Sequence, residues 1–310
     1  MAMLSTVPVY AAGAAPGLDA VIPAGAKLVK ITGDMTFDTA GSPCFYKGTL
    51  FFTNNNFDDL EKSRMMRKDS SEEARIIRTN NGMTATLKPN KAGNLYACEM
   101  MGHRIVELDT EGKVLRTVVG EFAGKRIDGP NDMVIDAKGG FYFTDSQFIG
   151  KEEKKQDKPA VYYVRPDGAI LRVADDVVFP NGIALSPDGK VLYLANTQGK
   201  YLIAYDVRPN GVLANARNFA EIELTPANVE KGMSGADGVA VDKKGNIYVA
   251  TTQGLGIQVF DKKGAHIGNI LCSAPTNNCA FGGVDMKILF VSAKDGIYRI
   301  PLKNAGVINY

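Results

Sequence analysis

Five short polar motifs recur along the chain, each just ahead of an apolar run: Asn80-Asn81-Gly82-Met83, Gly129-Pro130-Asn131-Asp132, Phe179-Pro180-Asn181-Gly182, Gly235-Ala236-Asp237-Gly238 and Asn277-Asn278-Cys279-Ala280. A single Asn or Asp at such a place reads as a turn initiator, because its side chain hydrogen-bonds the local backbone. Turn formation alone does not require five in one register. Amide oxygens from Asn81, Asn131, Asn181 and Asn278, with one carboxylate from Asp237, would make an all-oxygen donor set. Hard divalent cations prefer such a set.

Other catalytic constellations are poor. His103 and His266 have no Ser or Cys nucleophile motif beside them, and both read as structural or solvent-exposed. No Gly-x-Ser-x-Gly elbow and no phosphate-binding glycine loop occurs. Cys44, Cys98, Cys272 and Cys279 match no zinc spacing. Cys98 reads as a core residue, and Cys272 and Cys279 could pair across a turn in an oxidising compartment. Arg126 stands ahead of the Gly129 motif and could meet an anionic or polyhydroxy substrate; a surface salt bridge is the competing reading.

The elements that must position these residues are legible as repeats. Lys47-Gly48-Thr49-Leu50-Phe51-Phe52, Ala92-Gly93-Asn94-Leu95-Tyr96-Ala97, Lys138-Gly139-Gly140-Phe141-Tyr142-Phe143, Asp188-Gly189-Lys190-Val191-Leu192-Tyr193, Lys244-Gly245-Asn246-Ile247-Tyr248-Val249 and Met286-Lys287-Ile288-Leu289-Phe290-Val291 are six copies of one turn-and-strand unit. They lie roughly 40–55 residues apart, the period of propeller blades. An apolar strand precedes each turn, and a further strand often follows, as in Ala160–Val164, Tyr201–Tyr205 and Ile257–Phe260. A sheet face that one blade cannot bury is buried when blades pack around an axis. The expected fold is therefore all-β, a six-bladed β-propeller. The stretches Asn54–Arg75 and Gln147–Lys158 read as irregular segments lying over one face.

Composition agrees with a globular protein. Of 310 residues 45% are apolar and 23% charged, enough for a sizeable core. A net charge of +2 gives no basic surface for nucleic acid, and no run approaches the ~20 apolar residues of a membrane span. Residues 1–25 read as an N-terminal arm, and 26–310 as one propeller domain. Val9-Tyr10-Ala11 and the alanines beyond resemble a signal-cleavage zone, though no charged n-region precedes them. If the arm is a trimmed signal, the protein is periplasmic or secreted; otherwise it is cytoplasmic.

From about Asp38 to Lys303, the motifs around Asn131, Asn181 and Asp237, together with Ala280-Phe281-Gly282-Gly283, resemble the family of gluconolactonase, senescence marker protein (regucalcin) and luciferin-regenerating enzyme. Diisopropylfluorophosphatase shares the architecture more distantly. The resemblance implies a catalytic divalent ion at the channel mouth, calcium first, with Zn2+, Mn2+, Mg2+ or Fe2+ as other candidates. Its ligands would be Asn131, Asn181 and Asp237. Asn81 and Asn278 match channel-lining positions expected to contact substrate, and Asp132 would support Asn131 from behind. One departure stands out. The family's first blade carries a Glu ligand in a Glu-Gly-Pro turn; aligning its proline with Pro43 puts Gly41 at the Glu and Ser42 at the Gly. A water or the Ser42 hydroxyl would fill the vacancy, or another metal would be preferred. Asp128, where many relatives carry Asn, would add charge nearby.

The activity this implies is metal-dependent opening of a sugar or related lactone. Asp237 would act as ligand and as general base or nucleophile, with Ser42, Asn81, Arg126 and Asn278 toward the substrate. The expected partner is a small-molecule lactone, and the expected assembly is a monomer or weak dimer. Two alternatives share the site: a phosphotriesterase-like hydrolase, and a propeller with a degenerate metal site that binds a small molecule or steers a non-hydrolytic cyclisation.

Overall fold

The computed structural model describes residues 6–7, 17–70, 72–148, 152–254 and 256–308. Among the described residues, apolar strands separated by Gly-containing turns pair into six antiparallel blade sheets, with a separate two-stranded ribbon, Glu121–Phe122 and Lys125–Arg126, between blades two and three. Blade one comprises Ala40–Tyr46, Thr49–Asn54, Arg64–Lys68 and Arg75–Thr79. Blade two comprises Thr84–Pro89, Leu95–Glu99, Arg104–Leu108 and Val114–Val119. Blade three comprises Pro130–Ile135, Phe141–Asp145, Ala160–Val164 and Ile170–Ala174. Blade four comprises Pro180–Leu185, Val191–Asn196, Tyr201–Val207 and Leu213–Glu221. Blade five comprises Ala236–Val241, Ile247–Thr251, Gly256–Phe260 and His266–Ile270. Blade six joins Thr276–Gly282, Ile288–Ala293 and Gly296–Pro301 to the N-terminal strand Leu28–Lys30, with Thr6–Val7 outside it. The first strand of every blade packs on the first strands of both neighbours, which closes the ring. The six-bladed propeller expected from the repeats is the observed fold, and each repeated unit supplies a blade's second strand.

The core lies between blades. Each of the six buried apolar clusters among the described residues joins two neighbours, for example Met133, Phe143 and Tyr162 of blade three with Cys98 and Ile105 of blade two. First and second strands are largely buried, as in Pro180–Leu185 and Phe141–Asp145, whereas the fourth strands of blades one, two and four meet solvent and that of blade five, His266–Ile270, stays largely buried. Hydrophobicity therefore falls from axis to rim, as stacking blades require.

One expectation changes, and two open readings gain detail. The stretch Asn54–Arg75 contains the third strand of blade one, Arg64–Lys68, whose Met65 and Met66 are buried while its basic residues are half-buried. Its charge hides the pattern in the sequence. Leu18, Val21 and Ile22, counted with the N-terminal arm, are buried against blades five and six; the Val9-Tyr10-Ala11 stretch lies outside the described residues. All four cysteines are free thiols. Cys279 is buried on an inner strand with its thiol on the Tyr248 carbonyl at 3.6 Å, so the Cys272–Cys279 bridge is not formed. Among the described residues no helix is long and apolar enough to cross a membrane.

Two glycines set how closely the inner strands approach. A Cβ on Gly182 would lie 2.1 Å from the Asp237 carbonyl oxygen, and one on Gly238 would lie 2.2 Å from Asn278 Oδ1. Backbone atoms lie that close as well, the Asp237 carbonyl oxygen in the first case and Asn278 Cα at 2.7 Å in the second, so neither contact can be relieved by a side-chain rotation alone. Gly238→Ala should cost ~1–3 kcal/mol of stability, read as a lowered urea midpoint with an unchanged slope.

Candidate functional site

Each inner strand loses register with its neighbour near its start. The breaks fall between Gly41 and Cys44, Thr84 and Thr86, Pro130 and Met133, Pro180 and Ile183, Ala236 and Val239, and Thr276 and Asn278. A β-bulge inserts an extra residue and re-aims the side chains around it. In blades two to six the first bulged residue, Ala85, Asn131, Asn181, Asp237 or Asn277, lines a cavity of about 380 Å³ at this end of the axis. The residue after it turns toward the neighbouring blades. Asp132 Oδ1 accepts from Thr86 Oγ1 (2.7 Å) and the Met133 N–H (2.8 Å), and its Oδ2 accepts from the Ile183 N–H (3.1 Å). Lys88 Nζ lies 3.9 Å from Asp132 Oδ1. At the other end of the axis Lys88 lines a cavity of about 100 Å³ with apolar neighbours such as Val134, Ile183 and Phe281.

The sequence-derived residues divide into two groups. Asn131, Asn181, Asp237 and Asn278 converge on the large cavity. Of these, Asn278 is held: its Oδ1 accepts from the Cys279 N–H at 2.8 Å and its Nδ2 reaches Thr86 Oγ1 at 3.4 Å. Asn81, Ser42 and Arg126 do not line the cavity. Asn81 is fully buried behind Asn55, to whose Oδ1 its amide donates at 3.4 Å; the bulge count makes Ala85 the blade-two counterpart. Ser42 is buried with a left-handed φ of 53° and a hydroxyl that has no partner, while Gly41 beside it does line the cavity. Arg126 donates to Glu152 at 3.0 Å and to the Glu153 carbonyl at 3.2 Å, so the salt-bridge reading describes its position. Asp128 is buried and accepts from the Lys155 and Gln156 N–H groups and from Gln147 Nε2, which fastens the loop after blade three's second strand. His103 contacts the Asp128 carbonyl and Glu152, and His266 contacts Asn269, all away from the cavity.

Sequence reasoning missed several positions. Asp145 accepts the Asp128 and Gly129 N–H groups, both at 2.8 Å, and so holds the turn that delivers Asn131. Thr197 takes the Asn181 Nδ2 donor at 3.0 Å and passes its own proton to the Ala236 carbonyl at 2.7 Å. Phe57, Phe148 and Phe179 form one side of the mouth. A large aromatic residue inside a long loop was the only signal for the first two.

The donor set suits a cation. Asn181 Oδ1 is buried and has no hydrogen-bond partner, a cost normally avoided unless a ligand takes the lone pairs. Asn131 also has no hydrogen-bond partner among the described residues. Asp237 is open to the cavity on one side and enclosed on the others. Burial, reinforced by the Asp132 charge, holds its carboxyl well above the usual range, against hydrogen bonds from Asn181 and the Gly238 N–H. Three side chains that carry oxygen donors therefore line one cavity, and the protein's own donors do not satisfy the Asn181 oxygen. Beside them, a Cβ on Gly41 would lie 3.0 Å from Thr53 Oγ1, itself buried without a partner. Cysteine chemistry is disfavoured, since burial pushes the Cys44 and Cys279 thiols up to about 12.

The chain matches the SMP-30/Gluconolactonase/LRE-like region over residues 40–295. It is 29% identical to the gluconolactonase of Zymomonas mobilis over 233 residues, covering 71% of this chain and 63% of that protein. It is 34% identical to the lactonase drp35 of Staphylococcus haemolyticus over 193 residues, covering 60% of this chain and 56% of that protein. The chain thus spans less than two thirds of the length of these curated relatives. Among solved structures it resembles a gluconolactonase from Xanthomonas campestris (TM-score 0.79, 24% identity, 97% of this chain and 99% of the other). It also resembles a calcium-binding protein, regucalcin, from Agrobacterium tumefaciens (TM-score 0.70, 19% identity, 90% and 94%). At these identities the structural likeness bears on the fold.

The raised Asp237 carboxyl has a consequence for stability. A carboxyl whose folded pKa is raised adds stability fully below its ordinary value of 3.8 and loses that contribution as pH rises through the raised value. In metal-free protein, Asp237→Asn should therefore raise the melting temperature at pH 7–8 by ~2 °C or more. The difference should shrink toward zero as the pH falls to about 4; calorimetric scans of both proteins across this range check it.

Proposed function

The chain belongs to the SMP-30/gluconolactonase/LRE-like family, and on that premise we propose that it is a metal-dependent lactonase working in the bulge-lined cavity at the channel mouth. The observation that carries this reading is the convergence of Asn131, Asn181 and Asp237 on one cavity with the Asn181 oxygen left unsatisfied. These three residues would hold a divalent ion, calcium first. When bound, the ion supplies Lewis-acid polarisation of the lactone carbonyl.

The protein's own residues do the rest. Asp237 acts as general base: its carboxylate takes a proton from water as the water oxygen bonds to the carbonyl carbon. The ring C–O bond then breaks, the ring oxygen takes that proton back from Asp237, and a hydroxy acid leaves with the carboxylate restored. A carboxylate in so desolvated a setting is more basic than one in water. Asp132 is fastened by three hydrogen bonds behind Asn131 and keeps that amide aimed at the cavity. Asp145 fixes the preceding turn in the same way. The curated relatives named gluconolactonase and lactonase support the reaction class.

The glycine at position 41 favours a second reading, a site with weakened metal affinity that binds or cyclises its ligand without hydrolysis. The two are separated by assaying chelator-stripped protein on a panel of lactones while restoring Ca2+, Mn2+, Zn2+ or Mg2+. The lactonase reading expects activity that disappears on stripping and returns with one of these ions. It also expects Asp237→Asn to lower kcat/KM by ~10²-fold or more. Absence of metal-restored hydrolysis on every lactone would favour the second reading.

Gly41→Glu tests the vacancy. The new side chain enters at the cavity wall and needs the Thr53 hydroxyl to give by a few tenths of an ångström. The added carboxylate should tighten Ca2+ binding by about tenfold or more, measured by calorimetry. Unchanged affinity would place the missing ligand elsewhere.

A further inference from the structure

Resting on the lactonase reading, we infer that the substrate is a lactone carrying an aryl or alkyl group, not a polyhydroxylated sugar lactone, and that Phe57, Phe148 and Phe179 hold that group. Phe57 and Phe148 are 54% and 43% exposed. Both line the cavity that contains Asn131, Asn181 and Asp237. Phe57 meets Phe148 edge-on with ring centroids 6.2 Å apart, and Phe148 meets Phe179 at 6.3 Å. Three rings thus make a continuous apolar wall beside a polar floor. Rings left this open above a reactive floor gain most from a ligand that covers them.

The polar wall points the same way. Three of its polar residues each already give a donor to the protein: Asn55 Nδ2 to the Thr84 carbonyl, Thr197 Oγ1 to the Ala236 carbonyl and Asn277 Nδ2 to the Ala40 carbonyl. Arg126, the cation that would suit hydroxyl groups, is paired with Glu152 outside the cavity. The polar groups left over, Asn131, Asp237 and the Asn181 oxygen, lie together where the ester group must react. Lys294 also lines the cavity, its ammonium group without a hydrogen bond or ion pair among the described residues, and a single ammonium group cannot serve a ring with a hydroxyl on nearly every carbon. Hydroxyls desolvated without partners are penalised, so the site rejects a sugar ring and accepts an apolar one.

The test is a comparison of kcat/KM on Ca2+-loaded protein for dihydrocoumarin, δ-decalactone and D-glucono-1,5-lactone, with Phe57→Ala and Phe148→Ala alongside. The expected result is a preference of about tenfold or more for dihydrocoumarin or δ-decalactone over gluconolactone. Each Phe→Ala change should shrink that preference by ~5-fold or more, chiefly through KM on the apolar lactones. A preference for gluconolactone, or Phe variants that lower all three substrates equally, overturns the inference and leaves the lactonase reading standing. No hydrolysis of any of the three, on protein shown by calorimetry to hold Ca2+, overturns the lactonase reading and the inference with it.

Discussion

The site depends on how closely the inner strands of neighbouring blades approach at one end of the axis. Gly182 lies against the Asp237 backbone and Gly238 against Asn278, at separations that leave no room for a Cβ. Those contacts are possible only where the strands bulge, and the bulges are what aim Asn131, Asn181 and Asp237 inward. Packing and chemistry therefore share residues. In blades three to five the first bulged residue lines the cavity, and the next either removes its side chain to let blades meet, as Gly182 and Gly238 do, or ties them together, as Asp132 does.

Charge in the channel is rationed by the same geometry. Asp237 faces the large cavity and Asp132 lies behind the floor, near enough for its charge to raise the Asp237 carboxyl. Lys88, 3.9 Å from Asp132, is the compensating cation; its side chain is partly exposed and lines the small cavity at the other end of the axis. Amide donors bring oxygen lone pairs to the floor without adding to this repulsion. Position 41 lines the cavity beside the unpartnered Thr53 hydroxyl, and a further carboxylate would enter there.

The six second strands were readable because each follows a Gly-containing turn and carries a run of Leu, Ile, Val, Phe and Tyr. Arg64–Lys68 was not, because its two buried methionines sit side by side among three basic residues and show no alternation. The convergence of Asn131, Asn181 and Asp237 followed from their common place ahead of an apolar run. The blade-two position failed for a physical reason: Asn81 is the more conspicuous polar residue, yet the bulge falls at Ala85, four residues later. Bulges are set by contacts between strands, which one motif does not record. Arg126 and the aromatic wall depend on how long loops fold back across the mouth, and nothing local encodes that.

The central claim is that Asn131, Asn181 and Asp237 hold one hard cation at the channel mouth. A crystal soaked in Mn2+ and measured above and below the manganese absorption edge tests it most directly. The account predicts a single strong anomalous peak within about 2.0–2.6 Å of an oxygen from each of the three side chains. A peak elsewhere in the molecule, or none at saturating metal, would contradict it.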